Sequence, residues 1–229
     1  IKSGVVPVVR LDKVHRQSSG SRIPLNARLI RHGNLGLDYG SDFQFYDSPD
    51  LERSAVLMEQ LYLQETAKYG VDHVALLTPY RLKTATGATV MNELIREQVN
   101  PPAAGKPEIQ FGKRVFRVGD KVMQMKNRGD INNGDIGYIT GIRSEDGESV
   151  VLVDYGDGRN AEYLPADLHL LDFGYATTIH KSQGSEYQSV IINLQCAHSI
   201  MLVRPLLYTA ITRAKKQVII VGDRRALCI

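Results

Sequence analysis

The order of apolar and polar positions divides the chain into an α/β part, a stretch of short β runs, and a second α/β part. The runs that begin at Val5, Val74, Val190 and Val218 are apolar with little interruption, which is the mark of strands covered on both faces. Between them the period changes to that of helices. One helix is expected over 21–30. In 50–69 apolar side chains recur at Leu51, Ala55, Leu57, Met58, Leu61 and Tyr62, with Ser48 or Asp50 placed to cap the start and Gly70 to stop the end. A third helix is expected over 87–99, ended by Asn100-Pro101-Pro102, because a residue before proline avoids helical backbone. Residues 43–46 alternate like a strand, and the strand from Val74 is read as running to Arg81.

The texture changes over 115–170. Short β-rich runs there are separated by turn strings such as Asn132-Asn133-Gly134-Asp135 and Tyr155-Gly156-Asp157-Gly158, a spacing that predicts a small barrel. The α/β pattern resumes near Ala176. The barrel is therefore expected as an insert, 115–170, with a core of its own, dividing a discontinuous α/β domain of 1–114 and 171–229.

Composition narrows this only a little. With 229 residues, 43% of them apolar, the chain can bury a substantial core. A net charge of +3 and a pI near 8.8 fit a protein that meets phosphates locally rather than through a uniformly basic surface. No run reaches membrane-spanning length, and Ile1-Lys2-Ser3-Gly4 is not a signal peptide. Cys196 and Cys228 lack metal-site spacing and read as free thiols of a reducing compartment, so a cytoplasmic location is expected. The chain starts without methionine, and the expectation is a piece of a longer protein.

The chemistry concentrates in two polar clusters, each beside its own apolar strand. The first is Thr177-Thr178-Ile179-His180-Lys181-Ser182-Gln183-Gly184-Ser185-Glu186, before the run at Val190. The second is Leu207-Tyr208-Thr209-Ala210-Ile211-Thr212-Arg213-Ala214-Lys215-Lys216, before the run at Val218. In this order they closely resemble motifs V and VI of superfamily 1 helicases, in the RecD-like branch. Three further strings resemble that branch. Leu11-Asp12-Lys13-Val14-His15-Arg16-Gln17-Ser18 is similar to its motif IV, although the family usually has an aromatic where His15 stands. Thr78-Pro79-Tyr80-Arg81, with Asn92 and Asn100-Pro101, follows its pattern, and Gly134-Asp135-Ile136-Gly137 is similar to the signature of its SH3-like insert. The resemblance covers nearly the whole chain from Val8 and is weakest over 31–69. It implies a RecA-like, P-loop NTPase-type motor domain (2A) with an inserted SH3-like β-barrel (2B).

The residue types suit such a motor. Phosphoryl transfer spreads negative charge over the γ-phosphoryl oxygens, and arginine offers bidentate donors that stay charged. By resemblance Arg16 and Arg213 are the catalytic arginines, while Gln17, Gly184, Glu186 and Arg213 face the nucleotide. A helix N-terminus after Thr178 would offer N–H groups to a DNA phosphate. By resemblance Thr178, His180 and Gln183 lie on the DNA side, as do Thr78, Tyr80 and Arg81. Tyr80 and Arg81 suit stacking and phosphate contact, and suit packing under their loop equally well. Lys113, Lys121, Lys126, Asn127 and Arg128 read either as an extension of the strand channel or as a solvated face.

No GxxxxGK[ST] loop occurs: Gly105-Lys106 and Gly112-Lys113 are followed by Pro107 and Arg114 and have no glycine five positions before the lysine. The one Walker-B-like string, Val150-Val151-Leu152-Val153-Asp154, runs into a turn and reads as a barrel strand rather than a magnesium site. The chain thus reads as the C-terminal half of an ATP-dependent DNA helicase, inactive alone. ATP and Mg²⁺ are the implied cofactors, with no metal ligands here and the metal held by a separate N-terminal RecA-like lobe. Single-stranded DNA and its junctions with duplex are the implied partners, and 5′→3′ travel the implied direction. The alternatives are a non-catalytic nucleic-acid-binding module and a helicase subunit of a nuclease complex.

Overall fold

A computed structural model describes residues 20–82, 84–145 and 148–228. The strand expected from Val5 and the motif-IV-like string with Arg16 and Gln17 lie outside the described residues.

The first described helix, α1 (Arg22–Arg31), starts where Ser21 Oγ accepts from the Ile23 N–H at 3.2 Å and Asp42 accepts from the Arg22 N–H at 2.8 Å. After β1 (Phe43–Asp47) comes α2 (Leu51–Tyr69), capped by Asp50, whose carboxylate accepts from Arg53 N at 2.8 Å, and stopped at Gly70. Of the two candidate caps, Asp50 is the one used; Ser48 Oγ accepts from Ser54 Oγ instead. Strand β2 (Val74–Thr78) ends before Pro79, three residues short of the expected Arg81. The Tyr80 and Arg81 carbonyls turn away to accept the first N–H groups of α3 (Ala88–Val99), from Ala88 and Thr89, each at 3.0 Å. That helix has no side-chain cap, so this turn serves as its cap.

A hairpin of β3 (Glu108–Phe111) and β4 (Arg114–Arg117) leads into β5 (Lys121–Gln124), β6 (Ile136–Glu145), β7 (Glu148–Asp154), β8 (Asn160–Tyr163) and β9 (Leu171–Phe173). The chain then returns through β10 (Ala176–Thr178), β11 (Tyr187–Leu194), α4 (Arg204–Ile211) and β12 (Ala214–Gly222). Among the described residues, one parallel sheet has the order β1-β12-β11-β2-β10 and an antiparallel sheet the order β8-β7-β6-β5-β9. In the string that opens β6, Gly137 is required by space: a Cβ there would lie 2.7 Å from the Asp154 carbonyl oxygen.

The parallel sheet is covered on both faces, as its apolar runs require. Ala75, Leu77, Val190, Ile192, Val218 and Ile220 pack with Ile23 and Ala27 of α1 and Ala210 of α4. Val74, Leu76, Ile191, Ile219 and Val221 share a cluster with Met58 of α2 and Met91 and Ile95 of α3. That second cluster does not stop at α3. It continues through Phe116, Val122 and Phe173 to Val151 and Tyr163, so the expected separate core of the insert is corrected to one continuous apolar core. The cause is α3, which packs both on β10 of the parallel sheet and on β9 at the root of the insert.

Polar clamps fasten the same place. Asp120 is fully buried and accepts from Arg96 Nε at 2.8 and 2.9 Å, from Asn100 Nδ2 at 2.7 Å and from the Arg117 N–H at 2.8 Å. At the return of the chain, Asn92 donates to the Phe173 and Ala176 carbonyls and accepts from Ala176 N. Both crossings between the sheets are thus held by residues of α3 or its end.

Candidate functional site

Strand register separates the two polar clusters. Thr178 pairs with Thr78, the last residue of β2, whereas β11 meets Val74, the first residue of β2, only at Ser189. Glu186 and Arg213, which precede β11 and β12, therefore lie at the amino end of the parallel sheet. Thr78, Tyr80, Arg81 and Thr178 lie at its carboxyl end.

At the amino end α4 stops at Ile211, and the next turn is tied by Thr212 N to the Tyr208 carbonyl and Arg213 N to the Ala210 carbonyl. Arg213 is half-buried. Its Nε donates to the Thr209 carbonyl at 3.2 Å, its NH1 to the Ser185 carbonyl at 3.1 Å, and its NH2 to Thr212 Oγ1 at 3.4 Å. These contacts orient the planar guanidinium. Glu186 pairs with Lys215 at 2.9 Å, and Tyr187 N donates to the Arg213 carbonyl at 2.9 Å. The structure so brings together Arg213, Ser185 and Glu186, members of both sequence clusters.

At the carboxyl end, Thr78 is fully buried, and its hydroxyl bonds the Thr86 carbonyl and Asn193 Nδ2 at 3.1 Å each. A direct DNA contact by this side chain is closed off, and Thr78 instead fixes the turn that carries Tyr80 and Arg81. Arg81 is exposed and pairs with Asp172 of β9 at 2.6 Å. Arg114 reaches the same carboxylate at 3.4 Å and the Leu171 carbonyl at 2.9 Å. Half-buried Tyr80 meets the His198 ring edge-on, 5.2 Å between centroids.

The segment between the two ends is a succession of turns, not the helix N-terminus expected after Thr178. The Thr178 carbonyl accepts from Lys181 N at 3.0 Å and Ser182 N at 3.2 Å, Ser182 Oγ donates to the Ile179 carbonyl, and Ser185 N donates to the Ser182 carbonyl. Gly184 then takes φ 92°, with open space where a Cβ would stand, so the residue serves the backbone and not close packing. His180 and Gln183 are exposed on this segment.

Sequence reasoning missed Lys181 and its surroundings. Its Nζ lies 3.2 Å from Met125 Sδ, in a cleft lined by Arg81, Met123, Asp172, Thr177 and Thr178. Burial, and then the charge of Arg81, lower its pKa below the ordinary lysine value, with Asp172 acting the other way. Lys181 stands inside the first cluster, but its neighbours from the insert come from more than 50 residues away, where no local pattern reports them.

The expected basic face of the insert is corrected at Lys121. Lys121 is buried, with Nζ donating to the Val71 carbonyl at 2.8 Å and pairing with Asp72 at 3.3 Å, beside a cleft of about 400 Å³ that also touches Tyr138, Thr177 and Tyr187. Arg128 lies over the Tyr163 ring and donates to the Glu162 carbonyl. The Walker-B-like string is strand β7, and Asp154 accepts from the Gly156 N–H at 2.7 Å. Among the described residues no group of three or more His, Cys, Asp or Glu could hold a metal ion, and no helix is long and apolar enough to cross a membrane.

A parallel sheet covered on both faces, with a five-stranded antiparallel sheet grafted between β2 and β10, defines the class: a RecA-like α/β domain carrying an SH3-like insert. The Pif1 helicase structure from Candida albicans shares the fold, at 15% identity and a TM-score of 0.52 over 94% of this chain and 56% of that one. Residues 91–155 match the family profile of the ATP-dependent RecD-like DNA helicase SH3 domain, and residues 173–221 match the UvrD-like helicase C-terminal domain. The chain is 32% identical to the ATP-dependent RecD2 DNA helicase of Deinococcus radiodurans over 96% of its length, and 30% identical to the RecBCD enzyme subunit RecD of Mycobacterium tuberculosis over 87%. It spans 29% and 34% of those two proteins. The chain belongs to the RecD-like branch of the superfamily 1 helicases, as its C-terminal part.

Proposed function

We propose that this chain is the second motor domain, with its insert, of an ATP-dependent DNA helicase that moves 5′→3′ on single-stranded DNA and opens duplex. Residues 1–114 and 171–229 form the motor unit in this reading and 115–170 the inserted one. The observation that carries it is the continuous segment from Thr178 to Glu186. One end stands beside the Tyr80–Arg81 turn and the other beside Arg213. A shift at either end has a covalent path of nine residues to the other.

The amino end fits a nucleotide: an oriented guanidinium, with Lys215 and Glu186 beside it, matches a phosphate and a ribose hydroxyl. Arg213 would meet the γ-phosphate and Glu186 the ribose; ATP supplies the phosphoryl group, and Mg²⁺ would be held by an N-terminal RecA-like lobe. Arg16 and Gln17 would join this side. Thr178, His180, Gln183, Tyr80, Arg81 and Lys181 would hold the strand at the carboxyl end, with Thr78 supporting the turn beneath. DNA repair or recombination in the bacterial cytosol, alone or beside nuclease subunits, is the expected setting.

The test is ATP turnover by the isolated chain and by the intact protein, each with and without single-stranded DNA. Turnover is expected only in the intact protein and is expected to rise with DNA. Helicase-like turnover by the isolated chain would overturn the half-motor reading.

A further inference from the structure

The connection between β11 and α4 reaches the Tyr80 turn from the far side. It begins with the 3-10 turn Cys196–His198, and His198 is fully buried. Its Nε2 lies 3.0 Å from Thr84 Oγ1, and its ring meets the Tyr80 ring at 73° between planes. Thr84 Oγ1 is in turn 3.3 Å from Thr86 Oγ1, and the Thr86 carbonyl accepts from Thr78 Oγ1 and Asn193 Nδ2. The backbone of the turn is fixed by α3, through the Tyr80 and Arg81 carbonyls. The orientation of the Tyr80 ring is a separate matter, because χ1 and χ2 rotate independently of that backbone.

His198 bears on it through the edge-on ring contact. Its Nδ1 is buried without a hydrogen-bond partner among the described residues, an arrangement that folding disfavours. A leucine would fill the space without burying that atom, so packing alone does not account for an imidazole here. Burial also holds the ring below its usual pKa and therefore neutral, which suits an edge-on aromatic contact.

We propose that His198 is a positioning residue for nucleic-acid binding: through the Thr84 hydroxyl and the Tyr80 ring it holds Tyr80 in the orientation that stacks on a base of single-stranded DNA. This rests on the reading of the carboxyl end as the DNA side. His198 itself touches no DNA, and its effect passes through Tyr80.

The experiment uses the intact protein with His198→Ala, Tyr80→Ala and the double variant. Binding of oligo-dT is measured by anisotropy, stacking by quenching of a 2-aminopurine placed in the oligonucleotide, and folding by melting temperature. Each single change is expected to weaken binding about tenfold and reduce quenching. The double variant is expected to bind no more weakly than Tyr80→Ala, since both remove one interaction. His198→Ala binding as tightly as the parent, or losses that multiply in the double variant, would overturn the proposal. If Tyr80→Ala alone changes neither affinity nor quenching, Tyr80 does not stack, and the DNA reading of the Tyr80 turn falls together with this inference. Should His198→Ala not fold, His198→Asn takes its place, with lost quenching expected and unchanged quenching overturning the proposal.

Discussion

At the amino end of the parallel sheet Arg213 is held by the carbonyls of Ser185 and Thr209, while at the carboxyl end Arg81 is held by the carboxylate of Asp172. The carbonyls belong to the same α/β layer as Arg213. Asp172 belongs to β9, a strand of the antiparallel sheet. Lys181 repeats the pattern, with Met123 and Met125 beside it. Arg213 is therefore held from within one layer, whereas Arg81 and Lys181 are held from both; the antiparallel sheet reaches the amino end only beside β2, where Lys121 pairs with Asp72. Loosening the insert should disturb the carboxyl end first, and chemistry at Arg213 should survive it.

The sharpest way to break this comparison is Arg213→Ala in the intact protein. Single-turnover ATP hydrolysis should fall roughly 10³–10⁵-fold, with oligo-dT affinity nearly unchanged. Hydrolysis within threefold of the parent would make Arg213 a structural arginine and remove the functional distinction between the ends.

Asp120→Ala attacks the other side. It leaves Arg96 buried opposite an empty site, a change worth about 3–5 kcal/mol. Hydrogen exchange in the intact protein should show lost protection in α3 and β5, together with weaker DNA binding and a DNA-independent hydrolysis rate that changes less. Equal loss of both activities would mean that the two ends are not separately supported.

Gly184→Ala tests the link between the ends. A residue with a side chain at φ 92° carries roughly 1–3 kcal/mol of strain. Stimulation of hydrolysis by DNA should shrink by a larger factor than the basal rate does. Unchanged stimulation would show that coupling bypasses this segment.

The smallest effect is a pH dependence. Only the protonated form of Lys181 attracts phosphate, and a lowered pKa means that the proton leaves at lower pH than from an ordinary lysine near 10.4. Oligo-dT affinity should therefore start to fall below that pH as the solution becomes more alkaline. Lys181→Arg should remove the decline, because a guanidinium stays charged. An identical profile in the variant would take Lys181 out of the interface.

Much of this protein could be read from its sequence. The helices at α1, α2 and α3 followed from period, caps and stops, since those forces act within a few residues. The buried strands followed from unbroken apolar runs, and the two polar clusters from their position beside such runs. Strand β9 did not: Leu171-Asp172-Phe173 is too short to carry a pattern, and its identity comes from pairing with β5 about 50 residues earlier. The same holds for Asp172 beside Arg81, Lys121 beside Asp72, and His198 beside Thr84 across 114 positions. Sequence alone determined the helices α1 to α3, the long apolar strands and which residues carry charge near them. Tertiary structure decided which end of the sheet each cluster occupies, that Thr78 is sealed inside, and that one core runs through α3 into the insert. Local propensity depends on neighbours in the chain, whereas register and shared burial depend on distant segments meeting in space.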